Sequence, residues 1–386
     1  MTAEAGTSLS WHAAREVARG AVKPLPTIEL PLPLAVGFAL AEPLRALIAM
    51  PGYDNAAMDG YAVAGGGPWT VVGTVAAGEE PLETPLRPGE AAGIATGAPT
   101  PQGTEAVLPV EQSVRMGSEV HGEVSRGKHV RRMGEDFGQG AELLPVGTVV
   151  SAAVAGLAAS VGYDRLVVHR KPTVAIVITG DEVMSAGLPP PGHVRDAIGP
   201  TVPGLVSAAG GLVDTVLVKR DGAAVLAEIL TKPEADVVVI CGGTSVGPAD
   251  HLRSVLRELR AELLVDTVAC RPGHPQLLAA LPGGRPVVGL PGNPFAAVAA
   301  VVTLLNPILG SLGGRRLTAR ATARWGGGVD PHLTRTRLIP VRVESGLAVP
   351  VGHDRPGTLA GVALADALAV LPPRWSGEDV ELVRLS

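Results

Sequence analysis

Residues 236–251, DVVVICGGTSVGPADH, constrain this chain more than any other stretch. Val237, Val238, Val239, Ile240 and Cys241 lack the alternation of a half-exposed strand, so both strand faces are expected to be covered, as in parallel α/β sheets. Gly242 and Gly243 then allow a tight turn that presents backbone N–H groups to an anion. Thr244 and Ser245 add hydroxyls, and Asp250 stands where a bound cation or hydroxyl would meet a carboxylate. The next segment, HLRSVLRELRAEL, places Leu252, Val255, Leu256 and Leu259 on one helix face, completing a strand, glycine loop and helix. In an open α/β sheet, ligands bind at the carboxyl ends of such strands.

A Gly-Gly pair alone also serves ordinary strand-to-helix connections. Two further apolar runs end in polar loops, however. Residues 173–178 lead into Thr179-Gly180-Asp181-Glu182, and residues 287–290 into Pro291-Gly292-Asn293-Pro294. Loops converging from several strand ends point to a shared ligand site.

A chain of 386 residues exceeds one small core, and roughly two to four domains are expected. With 32 basic against 37 acidic residues and no dense Lys/Arg run, nucleic acid and anionic membrane are excluded as main partners. A local basic pocket for a small anion stays allowed. Cys241 and Cys270 are far apart and each sits in or beside an apolar run, so buried, reduced thiols in a cytoplasmic protein are expected. No leader-like start is visible, and no apolar run is expected to approach membrane-spanning length.

In chain order, Ser10 caps a short amphipathic helix with Trp11, Ala14, Val17 and Ala18 on its apolar face. Residues 50–67, MPGYDNAAMDGYAVAGGG, mix turn formers with Tyr53, Met58 and Tyr61. Either they form a site, or Asp54 and Asn55 close Asx turns and Asp59-Gly60 a hairpin. Residues 69–124 are short β runs, a small all-β module. In residues 129–140, Arg131 and Arg132 beside Glu135 and Asp136 read on their own as a solvated charge cluster. An Ala-rich helix and a strand then return the chain to a scaffold begun before residue 50. Residues 172–312 alternate strand and helix as one doubly wound α/β domain, and short strands beyond the linker Gly313-Gly314-Arg315-Arg316 form a second β module.

Six segments carry a more specific signal: DNAAMDGYAV (54–63), TGAP (96–99), VRRMGEDFGQGAELLPVGT (130–148), VAIVITGDEV (174–183), CGGTSVGPAD (241–250) and LPGNPFAAV (290–298). Together, and in this order, they resemble the molybdopterin molybdenumtransferase family, the molybdenum insertases that include the E domain of gephyrin. The resemblance implies an α/β fold plus β modules, a central doubly wound α/β molybdopterin-binding domain with flanking small β domains. Domain I, an elongated α+β scaffold, would take residues 1–49 and 140–171, domain II residues 50–139, domain III residues 172–312 and domain IV residues 313–386. It also implies a homodimer whose sites lie between domain III of one subunit and domain II of its partner.

The chemistry the resemblance implies is the reaction of adenylylated molybdopterin with molybdate, helped by Mg²⁺, to give molybdenum cofactor and AMP. Holding and cleaving a pyrophosphate link while a dithiolene captures an oxyanion calls for N–H donors, hydroxyls, a hard cation on carboxylates and a dry cleft. On that pattern Asp250, Glu182 and Asp221 are the catalytic acids, and Ser245, Asp250 and Asp221 the metal ligands. Thr179, Gly180, Gly242, Gly243, Ser245, Pro291 and Asn293 contact the pterin nucleotide, with Arg271 and His274 on the molybdate side. Asp59, Thr96 and Asp136 would come from the partner subunit. No covalent nucleophile is needed, since the ligand's sulfurs and an activated water suffice.

Three departures fall on the oxyanion side. The family's Lys-Pro-Gly-Lys-Pro loop reads Arg271-Pro272-Gly273-His274-Pro275, where the arginine is permanently charged and the imidazole only when protonated. An Asp-Ser-Asn turn has become Asp196-Ala197-Ile198, and the place of a family serine falls at Pro356. Nucleotide cleavage is therefore better supported than molybdate capture. The alternative of another class is a non-catalytic carrier of molybdopterin or its finished cofactor. A third, a molybdopterin adenylyltransferase, fits the α/β domain alone and leaves residues 54–63 unexplained. That enzyme is also a further partner the resemblance raises.

Overall fold

The computed structural model describes residues 8–232, 235–244, 251–317, 319–328 and 330–385. Ser245 and Asp250 lie outside the described residues. The apolar run that opens the glycine loop is a fully buried strand, third of six in the central sheet: β1 (Thr173–Thr179), β2 (Leu212–Lys219), β3 (Val237–Cys241), β4 (Glu262–Val265), β5 (Leu277–Ala280) and β6 (Pro286–Leu290). Their order is β2-β1-β3-β6-β5-β4. β2, β1, β3 and β6 are parallel, whereas β5 runs antiparallel to both β6 and β4. The turn Leu281-Pro282-Gly283-Gly284-Arg285 is too short for a crossover helix, so the chain must return as a hairpin there.

Alternate residues of β3 enter opposite cores. Val237, Val239 and Cys241 pack with Val202 and Val206 of α2 (Ile198–Ala208) and with α5 (Pro294–Leu312). Val238 and Ile240 pack with Leu226 and Leu230 of α3 (Ala223–Thr231) and with Leu252, Val255 and Leu256 of α4 (Leu252–Glu258). Each of the four β3 aliphatic side chains contributes about 1.5–3 kcal/mol by leaving water. Helices on both faces make the domain doubly wound.

Two expectations are corrected here. Residues 1–49 do not all join the elongated scaffold. α1 (Trp11–Gly20), capped by the Ser10 hydroxyl, buries Trp11, Ala14 and Ala18 in the α/β core, and Trp11 Nε1 donates to Thr303 Oγ1 of α5 at 2.9 Å. Helical amphipathicity reveals a buried face but not its partner. The second concerns α5, which is long and apolar enough to cross a membrane by length and composition, although no apolar run was read that way. Its apolarity answers to the core instead, with 83% of its most apolar window buried. A π-helical turn, Val301–Leu305, interrupts α5 and leaves the Val302 carbonyl to the guanidinium of Arg15.

The remaining modules surround this domain. The strand Arg165–His169 pairs with both Thr27–Pro31 and Ala39–Leu40, so the chain does return to its early scaffold. Residues 60–122 supply a six-stranded sheet with its own small apolar cores. In the C-terminal module, Thr336–Glu344 pairs with Leu347–Pro350 on one side and Ala367–Leu371 on the other, closing five strands into a small barrel. The two-residue strand Cys270–Arg271 of the α/β domain pairs with Thr336–Glu344, so the barrel is stitched to the sheet.

Candidate functional site

β1 and β3 are neighbours, yet the helix after β1 (α2) covers one face of the sheet and the helix after β3 (α4) the other. The chain ends there diverge and open a cleft of about 630 Å³ at the topological switch point. Its lining includes Thr179, Gly180 and Glu182 after β1, Asp221 after β2, Gly242, Gly243 and Thr244 after β3, and Pro291 and Asn293 after β6. Eight residues given catalytic or binding roles from the sequence therefore meet in one place: Thr179, Gly180, Glu182, Asp221, Gly242, Gly243, Pro291 and Asn293.

The glycine loop is shaped by close approach. Gly242 has φ +102°, and a Cβ there would stand 2.7 Å from the Thr179 carbonyl oxygen and 2.9 Å from its hydroxyl. Its N–H is not offered to a ligand, because it donates to Leu290 O at 3.0 Å. This corrects the expectation that both glycines present N–H groups. Thr179 Oγ1 donates to Cys241 O at 3.4 Å, and Arg253 donates to Thr244 O at 2.8 Å, so the loop base is anchored from two sides.

Glu182 and Asp221 are exposed at the cleft and available as hard oxygen ligands. A third carboxylate, Asp196, was read only as part of a weakened turn. Its Oδ1 accepts from the N–H groups of Ile198 and Gly199, both at 2.9 Å, so it caps the first turn of α2 while lining the cleft. An aspartate just before an apolar helical run was the available signal. Ile198 beside it is only 6% exposed, which makes that wall apolar. Among the described residues no group of three or more His, Cys, Asp or Glu could hold a metal ion by itself. Mg²⁺ commonly takes one or two carboxylates plus substrate phosphates, and Glu182 and Asp221 fit that pattern. Cys241 also lines the cleft, but burial and the nearby Asp196 push its thiol well up, so it is no nucleophile at neutral pH.

The other predicted residues stand apart from this cleft within one chain. Arg271 is exposed on the strand that joins the barrel. The ring Nδ1 of His274 lies 2.8 Å from Val268 O and so carries the proton, leaving Nε2 as its other polar atom. Neither lines the cleft, although Pro275 next in sequence does, as does Gly357 of the C-terminal module. Pro356, in place of a family serine, lends its carbonyl to Phe295 N–H of α5 at 2.9 Å.

In the second module, Asp59 and Thr96 are brought together. Asp59 Oδ1 accepts from Thr96 N–H at 2.6 Å and from Thr96 Oγ1 at 2.7 Å, and these bonds, the N–H first, hold its pKa below the usual carboxylate value. Asp136 is exposed and has its N–H bound to Met50 O. Asp54 takes the loop-closing role, accepting from Met133 N–H and Arg132, both of which depress its pKa.

Comparison with known proteins agrees with this layout. Residues 9–162 match the model of the MoeA N-terminal region (domain I and II), residues 175–311 the "Probable molybdopterin binding domain", and residues 322–385 the MoeA C-terminal region (domain IV). A molybdopterin molybdenumtransferase of Nostoc sp. is 33% identical over 297 residues, 72% of this chain and 68% of that protein. Molybdopterin molybdenumtransferase 2 of Mycobacterium tuberculosis is 33% identical over 302 residues, 73% and 74% of the two chains. A solved structure of the molybdopterin biosynthesis MoeA protein from Pyrococcus horikoshii superposes with a TM-score of 0.79 at 30% identity, covering 98% of this chain and all of that one. With every domain matched in order and the switch-point cleft within the molybdopterin-binding match, the chain belongs to the molybdopterin molybdenumtransferase family.

Proposed function

We propose that the switch-point cleft binds adenylylated molybdopterin and that the protein, an enzyme of molybdenum cofactor biosynthesis, releases AMP and inserts molybdate with Mg²⁺. The observation that carries this reading is the meeting of Glu182, Asp221 and the Gly242–Gly243 turn at the ends of three parallel strands. On this reading Gly242 lets the backbone come close to the pyrophosphate, and Thr179 fixes the turn beneath it. Glu182 and Asp221, joined by Ser245 and Asp250, would hold Mg²⁺, which supplies positive charge against the leaving phosphate. The loop carrying Arg271 and His274 faces molybdate, and Pro291 and Asn293 border the pterin nucleotide.

The enzyme acts on this reading as a cytoplasmic homodimer, in which Asp59, Thr96 and Asp136 complete the partner's cleft. Support comes from their position outside the cleft of their own chain, and from exposed apolar side chains such as Leu34, Leu47, Ile48, Tyr53 and Met133 in and beside the scaffold. A second reading, pterin binding or nucleotide cleavage without efficient molybdate capture, is favoured by buried Ile198 replacing a polar residue. One experiment separates the two: incubate purified protein with adenylylated molybdopterin, Mg²⁺ and molybdate, and follow AMP and cofactor separately. AMP without cofactor supports the second reading, and neither product refutes both catalytic ones.

A further inference from the structure

A second cavity, of about 620 Å³, opens where α1, the end of α5, the following linker and the barrel strand Asp379–Arg384 meet. It shares no lining residue with the switch-point cleft. The chain carries a net charge of −5, yet among the described residues Arg15, Arg19, Arg315, Arg316, Arg320 and Arg384 line this cavity against two carboxylates. Both carboxylates are already engaged, Glu16 with Arg19 at 2.6 Å, and Glu381 with His12 at 2.9 Å and Arg320 at 3.4 Å.

Among the described residues Arg15, Arg315, Arg316 and Arg384 form no ion pair. Arg15 lies 4.7 Å from the centre of the Trp11 ring and donates to Val302 O, while Arg315 donates to Gly37 O at 3.1 Å, so neutral groups orient both. Burial lowers the pKa of both guanidiniums, that of Arg15 to about 10, where the neighbouring charge of Arg19 adds to the effect and Glu381 and Glu16 offset it only in part. Arg15 has a structural duty at the π turn. Arg316 and Arg384 are exposed and form no ion pair among the described residues, so no such duty accounts for them.

We propose that this cavity binds a small polyanion with two or more adjacent oxyanion groups, phosphoryl or carboxylate. Guanidinium forks pair bidentately with either group, and charges converging on a concave site favour a small ligand over an extended polymer. The site is made jointly by α1, α5 and the barrel, so occupancy would brace the barrel against the α/β domain.

The test is calorimetric titration of the full chain with inorganic pyrophosphate, ADP and citrate at about 0.05 M and about 0.3 M ionic strength. The three ligands distinguish bare phosphate, nucleotide and carboxylate sources. The Arg316→Ser/Arg384→Ser double variant and Arg384→Glu change exposed positions and leave the core intact. At least one ligand should bind saturably and more weakly at high salt, with affinity reduced about tenfold or more in both variants. The proposal is overturned if none of the three binds saturably, or if the variants titrate like the wild type, as they would if the anion entered only the switch-point cleft.

Discussion

Replacing Asp236 by alanine tests how the sheet that makes the cleft is held at its opposite end. Its Oδ1 accepts from Arg170 Nη2 at 2.6 Å, and its Oδ2 from Arg170 Nη1 at 2.7 Å, Thr173 N–H at 2.8 Å and Thr173 Oγ1 at 2.9 Å. These bonds tie the exit of the scaffold strand to the amino ends of β1 and β3. A hydrogen bond to a charged group is worth about 1.5–3 kcal/mol net. Arg170 is 36% exposed and can turn to water when its partner is lost, so its share is discounted. A total loss of about 2–4 kcal/mol follows, most of it from the donors left facing a void. Burial alone would raise the Asp236 pKa, but the bonds from Arg170 and Thr173 outweigh it and the folded value is depressed. A depressed carboxylate stabilises fully above its unfolded value, near 3.9, and loses that contribution as pH falls through the folded one. The stability gap between wild type and Asp236→Ala should thus be constant from about pH 7 to about pH 5 and shrink progressively as pH falls below about 4. Native-state hydrogen exchange of the β1 and β3 amides measures it without assuming that four modules unfold as one. A gap under about 0.5 kcal/mol at pH 7, or one that widens as pH falls below about 4, would refute this account.

Four further outcomes are expected. Gly242→Ala forces a side chain onto φ +102° and to within 2.7 Å of Thr179 O, so it should destabilise by about 2–4 kcal/mol and abolish pterin binding followed by pterin fluorescence. Wild-type unfolding and affinity would show that the turn tolerates a Cβ. Mixing Asp59→Ala chains with Asp221→Asn chains should restore AMP release, since one site of each heterodimer is intact, whereas a fully active monomer by light scattering ends the composite-site idea. His274→Lys should strengthen molybdate binding in calorimetry. A neutral imidazole with Nδ1–H given to Val268 O can only accept at Nε2, while an ammonium always donates. Burial pushes the Cys270 thiol up to about 12 and the Cys241 thiol higher, so thiol reagents should label neither until the protein unfolds. Labelling of the native protein at the rate of a free thiol would contradict that.

What could be read from the sequence follows which forces are local. β3 was legible because five apolar residues in a row require two covered faces, and its loop because glycine at a strand end permits φ > 0. The gathering of Thr179, Glu182, Asp221, Gly242 and Asn293 followed from strand ends sharing one edge of a parallel sheet. Partner choice was not legible. The apolar face of α1 fits a scaffold or an α/β core equally well, and only Trp11 finding Thr303 across the chain decides. The fate of the Gly242 N–H is not legible either, because its acceptor, Leu290 O, lies on a strand 48 positions away in sequence, where local pattern carries no information. The arginine-lined cavity was invisible for the same reason, since each basic residue alone reads as solvated surface charge.

The departures from the family pattern gain a physical meaning from this geometry. Ala197 and Ile198 open α2, whose first two exposed N–H positions are already capped by Asp196, so the substituted residues are free to serve packing, and Ile198 is buried accordingly. That wall of the cleft then offers an oxyanion no hydroxyl or amide side chain. Molybdate, on the proposed reading, must rely on the loop carrying Arg271 and His274. That loop follows the strand Cys270–Arg271, which pairs with Thr336–Glu344 of the barrel, and Pro356 of the barrel module binds the first turn of α5 beside Asn293. On that reading the oxyanion side is positioned by the barrel and the nucleotide side by the central sheet. Loosening the barrel from the sheet should impair cofactor formation more than AMP release, which makes the ratio of the two products a direct reading of how firmly the barrel is docked.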